Sequence, residues 1–158
     1  MENQNQGQEP DQGQELGLGQ KRGQGLGQNH EQAKDGPKDN PVVDKSLDFA
    51  VKVVKFSRWL KQRSNDFEII NQFLRSGTSI GANVAEAQGA QSKADFIAKM
   101  QIALKETHET IYWLNVFVKA KLASDEKFEN AAKELSDIAS ELKALLSSIL
   151  KTSKTKRI

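Results

Sequence analysis

The stretch "RSGTSIGANVAEAQGAQSKADF", residues 75–96, decides how this chain is read. It carries Gly77, Gly81 and Gly89 among good helix formers, and each glycine inside a helix costs about 1 kcal/mol relative to alanine. A phosphate-gripping loop would need a Lys-Ser/Thr pair after the glycines and a strand before them. "GTSIGAN" has neither. Wound as a helix, the segment places Gly77, Gly81 and Ala85 in one row four residues apart, extended by Gly89 and flanked by Ile70, Phe73, Leu74, Ile80 and Val84. The row then lies on a buried face, where small residues let a neighbouring backbone come close. Gly89 ends that helix, and Ser92 opens the next.

Outward from this segment, residues 42–158 contain no proline and no period-2 alternation; apolar residues recur in steps of three and four. That pattern predicts helix throughout. Pro41 suits a first helical turn with Asn40 as N-cap, giving a helix over 41–62. "RSND" (63–66) breaks it, and a second helix covers 66–88. Ser92 and Asp95 form a weak capping box for a third helix reaching Lys121. Ser124, followed by Asp125 and Glu126, opens a fourth that runs to about Leu150. Four long helices with short connections predict an all-α, up-down antiparallel four-helix bundle over residues 41–152, followed by a basic tail, 153–158.

The helices differ in how much apolar surface they carry. The fourth has one seam through Phe128, Leu135, Ile138, Leu142, Leu145 and Ile149. The third has a seam through Phe96, Met100, Ala103, Leu104, Ile111, Leu114 and Val118, with Ile102, Trp113, Val116 and Ala120 on the other side. On the first helix, Val43, Leu47, Val51 and Val54 form one stripe and Val42, Phe49, Val53, Phe56 and Leu60 another. Second stripes have no partner within one chain, so they predict a homo-oligomer, with Phe49, Val53, Phe56, Ile102, Trp113 and Val116 as candidate interface residues.

Residues 1–40 are dominated by Gln, Gly, Asn and charge, with Leu16, Leu18 and Leu26 the only sizeable apolar groups after Met1. So little apolar surface cannot offset the entropy of ordering the backbone, and a disordered tail is expected. Of 23 basic and 21 acidic residues, the tail holds four and seven, leaving 19 and 14 (net +5) for the remainder. A mildly basic bundle permits nucleic-acid binding without requiring it. The absence of cysteine fits a reducing compartment, and no run is apolar enough to span a bilayer. A cytoplasmic protein is expected.

Catalytic constellations are missing from the pattern. His108, in "KETHET", lacks the Glu three residues before it that a di-iron bundle needs, since position 105 is Lys, and no second such pair exists. No cofactor or metal is expected, and the chain reads as a non-enzyme. Lys45, Lys52, Lys55, Arg58 and Lys61 on the first helix, with Lys151, Lys154, Lys156 and Arg157 at the end, are candidates for neutralising phosphates in a salt-sensitive, backbone-directed contact. Asn83 and Glu86, one turn apart, read either as a polar contact between helices or subunits, near Arg75 or Glu109, or as a solvated face.

The segment "LRSGTSIGANVAEAQGAQSKADFIAKMQIALKETHETIYWL" resembles the signature region of the 23S rRNA intervening-sequence protein family of four-helix bundles. The matching positions are Ser79-Ile80, Ala82-Asn83, Ala85-Glu86, Ser92-Lys93, Phe96, Ala103-Leu104, Glu106, Glu109 and Trp113-Leu114. The resemblance covers about residues 41–150; many relatives have proline where Gly81 stands and glycine where Ala87 stands. It implies a small cytoplasmic ribosomal-protein-like bundle, assembled as a ring, typically a homopentamer, and associated with RNA. A related branch, the accessory protein of diversity-generating retroelements, binds nucleic acid and a reverse transcriptase. The resemblance therefore leaves a second expectation open: a structural or protein-binding ring, such as a reverse-transcriptase accessory subunit, without RNA binding of its own.

Overall fold

A computed structural model describes residues 40–155. The Gln/Gly-rich tail through residue 39, and Lys156 and Arg157, lie outside the described residues. Four helices follow one another: α1 (Pro41–Lys61), α2 (Phe67–Gln88), α3 (Lys93–Ala120) and α4 (Glu126–Thr155). Each packs on its chain neighbours and α4 closes on α1, while the backbones of the diagonal pairs α1/α3 and α2/α4 stay more than 8 Å apart between Cα atoms. This is the expected four-helix bundle.

One periodicity runs through all four helices. The buried positions are 42, 46, 49, 53, 56, 57 and 60 on α1 and 70, 73, 76, 77, 80, 84 and 87 on α2. On α3 they are 100, 103, 107, 110, 114 and 117, and on α4 128, 132, 135, 139, 142, 146 and 150. Steps that alternate three and four average about 3.5 residues, which keeps one seam of each helix facing its partners along the bundle. Five of these positions carry hydroxyls: Ser46, Ser57, Ser76, Thr107 and Thr110. Four of them donate back to their own helix, for example Thr107 Oγ1 to the Ala103 carbonyl at 2.8 Å and Ser46 Oγ to the Val43 carbonyl at 2.9 Å. Thr110 Oγ1 also lies 3.1 Å from Ser76 Oγ, linking α3 to α2. A hydroxyl satisfied within its own turn can be buried at little cost and occupies less room than Leu.

The helix ends follow their local chemistry. Ser92 Oγ accepts from the Asp95 amide at 3.1 Å, and Asp95 Oδ2 in turn accepts from the Gln91 amide at 3.2 Å. This is a capping box shifted by one residue. Gly89 terminates α2. Two expected caps are corrected. Asp125, not Ser124, caps α4, its Oδ1 accepting from the Phe128 amide at 2.8 Å. Asn40 precedes α1 without a side-chain cap; its amide is spent on Gln88 Oε1 at 2.9 Å, tying the start of α1 to the end of α2. Helix α4 continues to Thr155, so residues 153–155 belong to it and not to a tail.

The glycine row is a contact, and it drifts. A Cβ on Gly77 would stand 2.7 and 2.8 Å from the two Val53 methyls, and one on Gly81 would stand 3.1 Å from the Ser46 carbonyl oxygen. Both glycines therefore admit α1 so closely that an added Cβ would force Val53 or the Ser46 backbone to shift. Each four-residue step overshoots a full turn by about 40°, so Ala85 has rotated into solvent and Ala87 takes the buried place.

Candidate functional site

Two surface features are built from residues that the sequence singles out: apolar flanks and cationic seams. On α1 the two stripes exchange roles. Phe49, Val53 and Phe56 were candidates for an outer interface, but all three are core residues. Phe56 sits in an aromatic cluster, its ring centroid 6.0 Å from Phe73 and 5.9 Å from Phe128. The reason is steric: Val53 is the wall against which Gly77 packs, so that stripe must face α2. The other stripe is left outside, with Leu47 62% and Val51 45% exposed. On α3, Ile102 is 41% exposed, while Trp113 and Val116 are half-buried. Tyr112, 58% exposed, stands edge-on to Trp113 at 5.1 Å. Val118, expected in the core seam, is also outside, and Phe117 is buried in its stead.

Among the cations, partners decide which are available. Lys45 is paired with Glu141 and Lys52 with Glu134, at 2.6 Å for the second pair, so both bridge α1 to α4. Each of these lysines thus already faces a carboxylate, which a phosphate would have to displace. Lys55 lines a cleft between α1 and α4 with Lys127, Phe56, Trp59 and Leu135. Arg58 is exposed on the same helix and Lys61 is half-buried. Neither Lys55, Arg58 nor Lys61 has an ion-pair partner among the described residues.

On the opposite seam, Lys151 and Lys154 of α4 meet Lys105 and His108 of α3 across a groove of about 640 Å³. The sequence reading missed Lys105, because nothing in the chain marks it as facing residues far along on α4. His108 thus stands beside lysines, a setting that does not suit a metal cation.

The remaining motif residues serve the framework. Asn83 donates to the Ser79 carbonyl at 2.9 Å within α2. Glu86 pairs with Lys99 of α3, which makes the inter-helix reading of Glu86 correct with a different partner. That hydrogen bond, followed by the attraction of the Glu86 charge, raises the Lys99 pKa above its ordinary value. Glu106 is shifted upward too, first by partial burial and then by Glu109, against the opposing pull of Lys105 and Arg75. Trp113 Nε1 reaches Glu109 Oε1 at 3.4 Å. No described helix is long and apolar enough to cross a membrane, and among the described residues no His, Asp and Glu side chains gather into a metal-binding group.

These features can be set beside known proteins. A crystal structure of a protein of unknown function from the S23 ribosomal protein family of Bacteroides thetaiotaomicron VPI-5482 is 44% identical, with a TM-score of 0.64. The match covers 70% of this chain and 98% of that one. No curated protein matches. The sequence model of the 23S rRNA-intervening sequence protein family matches residues 38–144, a span that takes in the glycine row, the capping box and the α3 signature. The chain belongs to the 23S rRNA-intervening sequence protein family.

Proposed function

We propose that this chain is a cytoplasmic, non-enzymatic protein that assembles into a ring of identical bundles and associates with RNA through its basic surface. The observation that carries the assembly is the position of its exposed apolar residues. Leu47 and Val51 lie on α1, Ile102 and Tyr112 on α3, and α1 and α3 are diagonal helices. Two different apolar patches on opposite flanks favour a head-to-tail contact, which closes into a ring when the rotation permits; a two-fold dimer would use one patch twice. Five subunits is the number the family resemblance suggests. The RNA association draws its support from the family and from the net charge of +5 on residues 41–158, 19 basic against 14 acidic.

Light scattering tests the assembly. The wild-type chain is expected as one oligomer, and Leu47→Glu or Ile102→Glu, each breaking one flank, as monomers. Mixing the two variants restores a single intact contact and should stop at a heterodimer. A wild-type monomer would refute the ring. Trp113→Glu tests the α3 flank independently, with dissociation expected. A ring that binds no RNA at low salt would favour the alternative role, an adaptor for a protein partner such as a reverse transcriptase, recognised through the same flanks.

A further inference from the structure

Some lysines of this bundle are paired with carboxylates and others, Lys55 and Lys61 included, have no ion pair among the described residues. Lys45, Lys52, Lys99 and Lys133 are neutralised by Glu141, Glu134, Glu86 and Asp137. Lys105, Lys151 and Lys154 have no ion-pair partner among the described residues, and they line one groove between α3 and α4 together with Gln101, His108 and Ser147. No carboxylate lines that groove, and its apolar lining is Leu104 and Leu150. The charge is segregated along α4 as well: after Glu141 the chain has no acidic residue. Lysines in the last turns of a helix are stabilised by its dipole, which explains Lys151 and Lys154 without a ligand. It does not explain Lys105, which projects into the same groove from the middle of α3.

We propose that this groove is the contact surface for a single-stranded RNA segment, a proposal that rests on the RNA association above and relocates it from α1. Lys105, Lys151 and Lys154 neutralise phosphates from both walls. The half-buried Leu104 and the exposed His108 imidazole receive unpaired bases, and Gln101 and Ser147 supply neutral hydrogen-bonding groups. From position 101 to 108 the groove runs about 10 Å at 1.5 Å per residue. Even at the stacked duplex spacing of about 3.4 Å per nucleotide, that length holds at most about three nucleotides. An apolar lining beside cations suits a strand whose base faces are open; a duplex presents only its backbone and shallow groove.

The test uses the full chain and fluorescence anisotropy with a labelled mixed-sequence single-stranded RNA of twelve nucleotides, titrated at low and rising salt. Circular dichroism confirms that each variant is helical; the three substituted lysines are exposed, so folding should be unaffected. The triple variant K105Q/K151Q/K154Q should weaken binding at least tenfold and flatten the dependence of log K on log salt by about 2 per bound chain, since each phosphate contact on a single strand contributes about 0.7. The triple variant K55Q/R58Q/K61Q should bind like wild type, and a hairpin duplex of equal length should compete poorly. Wild-type binding that survives in the groove variant and is lost in the α1 variant would overturn the groove while leaving RNA association intact. Preference for the duplex would overturn the single-strand assignment. Absence of wild-type binding at low salt would remove the RNA reading itself.

Discussion

Helix α1 is held on its two sides by different means. Toward α2 it is drawn in by absence: Gly77 admits the Val53 methyls and Gly81 admits the Ser46 backbone. Toward α4 contact is sparser, two lysine–carboxylate pairs reach across, and a cleft opens beside Trp59 and Leu135. The first seam is fixed by shape in a dry core. The second stacks Phe56 and Trp59 on Phe128 at one end and is otherwise bridged by long side chains in water, where an ion pair is worth about 0–1 kcal/mol. Stability and register are therefore expected to depend on the first seam, and the ion pairs of the second should tolerate change.

The sharpest way to break this contrast is Gly77→Leu. Filling a close approach with a large side chain should cost more than about 3 kcal/mol, read as a lower urea midpoint or failure to fold. Gly77→Ala is gentler: overpacking of about 1–3 kcal/mol is partly offset by about 1 kcal/mol of gained helix propensity. A net loss of about 1 kcal/mol is expected. The loss should shrink when Val53 is also shortened to Ala, a coupling that a double-mutant cycle measures. A stabilising Gly77→Ala would mean that the α1–α2 contact is looser than described.

On the other seam, Lys45→Met with Lys52→Met should change stability by no more than about 1 kcal/mol. The residual effect should vanish in 1 M salt, where screening is nearly complete at these exposed positions. A loss comparable to that of Gly77→Leu would show that α4 is held by charge after all. The smallest effect belongs to Glu106, away from both seams of α1. Burial and Glu109 raise its folded pKa, so the folded state holds the proton more tightly than the unfolded one. Its contribution favours folding at low pH and is lost as pH rises through the folded pKa. Glu106→Gln should be at least as stable as wild type at pH 7, within about 0.5 kcal/mol. That difference should close on acidification below the ordinary glutamate range, followed by thermal melts across pH.

Much of this was legible in the chain and some was legible only wrongly. The helix count, the break at 63–66, the Ser92 cap and the packing of Gly77 and Gly81 against a neighbour follow from local chemistry, because caps, breakers and small residues act over one turn. The choice between the two stripes of α1 does not. Both are apolar, and the buried one is interrupted by Ser46 and Ser57, so its 3-4 alternation is obscured. The same holds on α3, where Thr107 and Thr110 are buried while Ile102 and Val118 are not. Hydroxyls that bond to their own helix behave as small core residues, and a hydropathy pattern scores them as surface.

Sequence alone thus determined that the chain forms four amphipathic helices, about where the first three begin and end, and that one face of α2 must lie against a neighbour. These properties depend on backbone propensity and on groups one turn apart. Only the tertiary structure decided which stripe of α1 became core, which lysines were neutralised by α4, and that Lys105 and His108 stand opposite Lys151 and Lys154. Those outcomes depend on the rotation of each helix about its axis, and that rotation is set by how its small and large residues interlock with neighbours distant in the chain.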